Sequence, residues 1–124
     1  MTVGIDIIEI GRVAKSAQKE SFVKGVFTER ETEFYRDTGS RAETLAGIFA
    51  AKEAVAKAAG TGFRGFRPAD IEILHTDAGQ PYAVLHNGAA KLLEGRKLSI
   101  SISHNTTTAV AVCIAINPSY LKCD

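Results

Sequence analysis

Residues 45–62, LAGIFAAKEAVAKAAGTG, decide how this chain folds. Ala, Leu, Glu and Lys are among the strongest helix formers; no proline interrupts the run, and only Gly47 weakens it before Gly60. Gly60 is placed to end the helix, because glycine takes the left-handed C-cap conformation at little cost, and Thr61-Gly62 then turns the chain. On a helical wheel Leu45, Ile48, Phe49 and Val55 share one arc, the expected core stripe. Lys52 falls inside that arc, and we expect its methylenes to cover apolar surface while the ammonium reaches water. Glu53 and Lys57, one turn apart, share an adjoining strip with Ala46 and Ala50. They are either a surface ion pair of about 0.3–0.5 kcal/mol or a functional pair. In the second case the alanines mark a helix approached closely, where an ionised carboxylate needs a cation, a metal or strong donors beside it.

Toward the N-terminus, residues 2–8 read as a short buried strand, with Val3, Ile5 and Ile7 on one side and Gly4, Asp6 and Ile8 on the other. Asp6 is out of place among isoleucines, so it lies at the strand end or has a partner. If it packs near Glu53, a cation must lie between the two carboxylates or one of them takes up a proton. From Glu9 the pattern turns helical, with Ile10, Val13, Ala14 and Ala17 apolar and Arg12, Lys15 and Lys19 forming a basic stripe. That stripe is either a solvated face or a dock for an acidic partner. After a break near Gly25, Thr28 and Glu31 have the spacing of a capping box, and a short helix to Arg36 follows.

Toward the C-terminus, residues 63–68 are irregular, with Arg64 and Arg67 either exposed or within reach of a phosphate. Residues 71–75 and 82–86 read as paired strands, with His75 and His86 at strand ends, and 89–94 as a short helix. Residues 98–104 and 109–116 alternate as two strands of a hairpin turned at 105–107. One face of that hairpin is expected to be bulky and apolar, and the other lined by Ser, Ala and Cys where the alanine-rich helix lies close. The fold class is therefore α+β, one long alanine-rich helix on a small, mainly antiparallel sheet.

Size and composition bound the rest. A chain of 124 residues with 45% hydrophobic and 23% charged residues suits a single domain spanning 1–124. A net charge of +1 and the absence of an aromatic stacking platform count against a nucleic-acid module. Cys113 and Cys123 make no disulfide framework, and neither a secretory signal nor a membrane span is read, so a soluble, cytoplasmic protein is expected.

With Gly4-Ile5-Asp6, the run 49–57 (FAAKEAVAK) and Ser101-Ile102-Ser103-His104 in view, the chain resembles the phosphopantetheinyl transferases of the holo-acyl-carrier-protein synthase type over nearly its full length. The resemblance implies transfer of the 4′-phosphopantetheine arm of coenzyme A to a serine of an apo acyl-carrier protein, releasing adenosine 3′,5′-bisphosphate. It implies Mg2+ held by Asp6 and Glu53, with Lys57 at the diphosphate and Gly60 allowing close backbone approach. Ser103 and His104 would contact coenzyme A phosphate, and Glu53 would serve as general base through a water. It further implies a homotrimer with sites between subunits, Asp6, Glu53 and Lys57 coming from one and His104 from the next. Arg12, assisted by Lys15 and Lys19, would face the carrier protein. Ile48 stands where that family commonly has arginine. A non-catalytic module binding coenzyme A or a carrier protein in the same cleft is the alternative.

Overall fold

The computed structural model describes residues 1–121, so Cys123 lies outside the described residues. Along the chain run β1 (Thr2–Glu9), α1 (Ile10–Ser16), α2 (Glu20–Val26), α3 (Glu29–Asp37), α4 (Ala42–Ala59), β2 (Ile71–His75), β3 (Pro81–Leu85), α5 (Asn87–Leu92), β4 (Lys97–His104) and β5 (Thr108–Ile116). Short 3-10 turns occupy Pro68–Asp70 and Pro118–Leu121. The strands form a three-stranded antiparallel sheet in the order β1-β5-β4 and a separate β2-β3 hairpin. The helix-on-sheet α+β class expected from the sequence is the one observed.

The central helix α4 begins three residues before Leu45 and ends at Gly60, whose φ of +89° is the left-handed cap conformation. Its sheet-facing stripe is methyl-sized. Ala46, Ala50, Ala54 and Ala58 are buried, and across from them lie Ala109, Ala111, Cys113 and Ala115 of β5. Gly4 brings β1 onto the same stripe. A Cβ at that position would sit 1.9 Å from the Ala54 carbonyl oxygen and 2.7 Å from the Ala58 nitrogen, so only glycine permits this approach.

The hairpin register differs from the expectation. Ile102 pairs with Ala111 and Ser103 with Val110, because the tight turn at 105–107 places large β4 residues beside small β5 residues on each face. The face under α4 thus combines Leu98, Ile100 and Ile102 with Ala and Cys, and the outer face combines serines with Val110, Val112 and Ile114. Residues 2–8 are not wholly buried either. Val3, Ile5 and Ile7 project from the outer face and are 57%, 60% and 71% exposed.

Lys52 does not reach water. Its side chain is fully buried and paired with the equally buried Glu31 at 2.7 Å. The wheel position was right and the snorkelling was not, since the carboxylate that holds it comes from a helix 21 residues earlier. The box at Thr28 forms as expected: the Thr28 hydroxyl accepts from Glu31 N and the Glu31 carboxylate accepts from Thr28 N. The break expected near Gly25 falls at Phe27-Thr28, between α2 and α3, while the break between α1 and α2 is one the periodicity did not show. Lys19 therefore falls at the joint between α1 and α2, and Ala14 is exposed rather than apolar core. His75 ends β2 and stacks on Phe34 at 4.3 Å, while His86 follows β3 and meets Glu72 at 3.1 Å.

Candidate active site

Asp6 is carried by β1 on the face that meets α4, two residues beyond Gly4, so the close approach at Gly4 also sets where the carboxylate stands. Lys57, in the last turn of α4, donates to the Asp6 carboxylate and to the Ile5 carbonyl, each at 3.0 Å. The lysine thus reaches across to β1 rather than pairing with Glu53. Glu53 is half-buried, and burial pushes its carboxyl above the usual range; the Asp6 charge pushes the same way, and the Lys57 charge opposes both. The convergence of two carboxylates and one ammonium is the feature that a plain surface ion pair would not produce.

Asp6 and Glu53 open into a cleft of about 690 Å³. Arg12 and Ser16 of α1 form part of its wall, and Phe22 and Phe49, packed edge to face at 6.1 Å, form an apolar part beside them. Lys15 and Lys19 are exposed outside the lining of this cleft. Gly60 ends the helix that carries Lys57, with open space where a side chain would be.

Ser103 and His104 are not brought to this cleft by their own chain. Ile8 of β1 and His104 of β4 both pair with Ala109 of β5 but from opposite sides, about 10 Å apart at two strand spacings. Both residues instead border a shallow depression of about 320 Å³ with Ile7, Asn105, Thr108 and Val110. Asp6 and Glu53 supply hard oxygen donors of the kind magnesium takes, and the repulsion between them is what a divalent cation relieves. Among the described residues no group of three or more His, Cys, Asp and Glu could hold a metal, so this pair fits a cation that shares its remaining positions with water and substrate oxygens.

Two contributors escaped the sequence reading. Gly4 carried a legible signal, a glycine inside a strand pattern, which marks close backbone approach. The Phe22 and Phe49 wall carried none, because it joins residues of two helices whose crossing the sequence does not show.

Residues 2–113 match the family described as the 4′-phosphopantetheinyl transferase superfamily. A holo-[acyl-carrier-protein] synthase of Clostridium perfringens is 46% identical over 120 residues, covering 90% of each chain. Among solved structures, a holo-(acyl-carrier-protein) synthase of Bacillus anthracis in complex with coenzyme A (3′,5′-ADP) is 36% identical with a TM-score of 0.78, covering 92% of this chain and 94% of that one. The Helicobacter pylori holo-[acyl-carrier-protein] synthase in complex with coenzyme A is 30% identical with a TM-score of 0.81, covering 92% and 99%.

Proposed function

The chain belongs to the 4′-phosphopantetheinyl transferase superfamily, and from that premise we infer that it is a holo-[acyl-carrier-protein] synthase whose cleft moves the 4′-phosphopantetheine arm of coenzyme A onto a carrier-protein serine. In that reaction the serine oxygen forms a bond to the β-phosphorus of coenzyme A, the diphosphate P–O bond breaks, and adenosine 3′,5′-bisphosphate leaves. The observation that carries the assignment of roles is the meeting of Asp6, Glu53 and Lys57 at one place on β1 and α4.

Asp6 and Glu53 are the residues to hold magnesium, which when bound with the diphosphate oxygens would offset the charge that repels an incoming nucleophile. Lys57, with its ammonium already beside the Asp6 carboxylate, is placed to stabilise charge on the departing phosphate. Glu53 is our candidate to accept the serine proton through a water, since its carboxylate stands in the cleft beside Asp6, where the reacting groups would meet. Arg12, on the wall of the same cleft, offers a cation to an acidic carrier protein, with Lys15 and Lys19 extending the field along α1 and its end.

We propose a homotrimer, with Ser103 and His104 of one subunit completing the site of the next at coenzyme A phosphate. Support comes from the outer face of β1, where Val3, Ile5 and Ile7 leave a contiguous apolar strip of the kind that marks an interface. The separation of His104 from Asp6 within the chain supports it too. Residues 1–124 act as one transferase domain in this proposal, in the cytoplasm, and no helix among the described residues is long and apolar enough to cross a membrane.

The test is intact mass of an apo acyl-carrier protein after incubation with coenzyme A and magnesium. A gain of about 340 Da, lost with a chelator, is expected if magnesium acts as proposed. Glu53→Gln should abolish the gain while leaving folding and assembly intact. Transfer unaffected by both chelator and substitution would remove the metal assignment; no transfer to several carrier proteins by a folded sample that binds coenzyme A would favour a binding module.

A further inference from the structure

The motif that carries Glu53 and Lys57 contains a second lysine, and its environment is different. The Lys52 side chain is fully buried, and its three ammonium protons have three acceptors: the Glu31 carboxylate at 2.7 Å, the Ile71 carbonyl at 2.7 Å and the Pro68 carbonyl at 3.0 Å. The Phe27 ring lies 5.8 Å away. Glu31 is itself held on both oxygens, accepting from Thr28 N at 2.8 Å and from Ile73 N at 2.7 Å. One ion pair therefore joins α4 to the cap of α3, to the turn at Pro68–Asp70 and to β2.

Such a pair is not needed for stability alone, because an apolar side chain of similar volume would fill the space without the desolvation cost of two charges. What it adds is direction. The stripe of α4 against the sheet is Ala46, Ala50, Ala54 and Ala58, and methyl-sized side chains form low ridges that key a helix weakly about its axis. Lys52 leaves α4 on nearly the opposite side from that stripe, and Glu53 leaves it about 100° from Lys52, in the quadrant between. A rotation of about 20° at a side-chain radius of about 6 Å moves the Glu53 carboxylate by about 2 Å, and displacements of about 1 Å at a reacting centre cost on the order of a hundredfold in rate.

The geometry points to Lys52 as a positioning residue of the transferase site: held by Glu31 and by the Pro68 and Ile71 carbonyls, it fixes the rotation of α4 and so the direction in which Glu53 and Lys57 face β1. This rests on the roles proposed for those two residues. Lys52 touches neither substrate nor reacting atom and acts only through the helix. The two lysines of the motif divide the work, one holding the helix from behind and one serving the cleft in front.

The test replaces the pair rather than breaking it. Lys52→Met alone strands a buried carboxylate and is expected to fold poorly, so Lys52→Met/Glu31→Gln is the informative protein. Three measurements are made on it: melting temperature, kcat and KM for coenzyme A with a saturating apo carrier protein, and amide hydrogen exchange along residues 50–58. Leu93→Ala, a core truncation outside α4 and outside the lining of the cleft, serves as a control for general destabilisation. The expected result is a folded double variant with kcat reduced tenfold or more, KM changed less than kcat, and exchange in 50–58 accelerated. The control should lose melting temperature while keeping its kcat. A folded double variant with wild-type kcat and wild-type exchange overturns the inference, as does a control that loses kcat in step with its stability. Should the wild-type protein transfer nothing to any carrier, the transferase reading falls instead. Exchange along 50–58 then decides the positioning of α4 by itself, with unchanged protection again overturning it.

Discussion

Substituting Gly4 by alanine is the smallest perturbation that reaches both the fold and the site. The added Cβ would lie 1.9 Å from the Ala54 oxygen, and contacts under 3.0 Å are essentially never seen, so β1 and α4 must separate by at least 3.0 − 1.9 = 1.1 Å. Both obstructing atoms, the Ala54 carbonyl oxygen and the Ala58 nitrogen, belong to the helix backbone and cannot swing aside. Overpacking of this kind costs about 1–3 kcal/mol, which for a chain of this size lowers the melting temperature by roughly 4–12 °C. Asp6 sits on the same strand face, and opening by 1.1 Å stretches its 3.0 Å contact with Lys57 out of hydrogen-bonding range. Transfer should fall by about a hundredfold from that misplacement. The assay is a thermal melt beside initial rates of carrier-protein mass gain. Gly11→Ala in α1, which meets nothing within 4 Å, is the matched control and should be neutral or slightly stabilising. A Gly4→Ala protein with unchanged melting temperature and unchanged kcat would refute the close-approach argument.

Other outcomes follow from the same geometry. The Glu72 carboxyl is held down to about 2 by hydrogen bonds from Arg30, Thr28 and His86, which outweigh the effect of burial. Since its folded value lies below the ordinary 4.5, its stabilisation is complete above about pH 4.5 and is lost as the pH falls toward 2. Acid melts should accordingly show a loss of up to about 3 kcal/mol that is absent in Glu72→Gln, and identical acid sensitivity in the two proteins would count against it. Ile5→Arg, on the exposed outer strip of β1, should leave a folded monomer by light scattering where the wild type has three times that mass, and a monomeric wild type would end the trimer proposal. Lys52→Met by itself leaves Glu31 buried and uncompensated, a loss of about 3–5 kcal/mol that a denaturant titration would read.

Local chemistry was legible and long-range packing was not. Gly60 as a left-handed cap, the Thr28–Glu31 box and the 71–75 strand follow from residues within a few positions of one another, and each stands where the sequence put it. The meeting of Asp6 with the Glu53 strip was also legible, because an aspartate flanked by isoleucines and a carboxylate among alanines both ask for company. Lys52 failed for the complementary reason. Whether a lysine in a core arc snorkels or pairs depends on Glu31, in the preceding helix, and periodicity carries no information about that partner. The faces of the hairpin were misassigned because alternation identifies the two faces of each strand without saying which face of one joins which face of its neighbour; the turn register decides that. The outer side of β1 looked buried because isoleucine and valine look alike whether they meet a helix or lie exposed.

The small stripe of α4 has a consequence for how this protein can be interrogated. Alanine scanning finds importance by removing atoms, and at Ala46, Ala50, Ala54 and Ala58 there is nothing to remove. A scan would therefore find Glu53 and Lys57 but pass over the stripe on which their helix is seated, and record that contact as silent. Enlargement to valine or leucine reverses the probe, since a methyl added to a fully buried, close-packed stripe must displace its neighbours. Drift in the sequence is constrained in the same one-sided way, with room to lose volume almost nowhere and room to gain it nowhere along the contact.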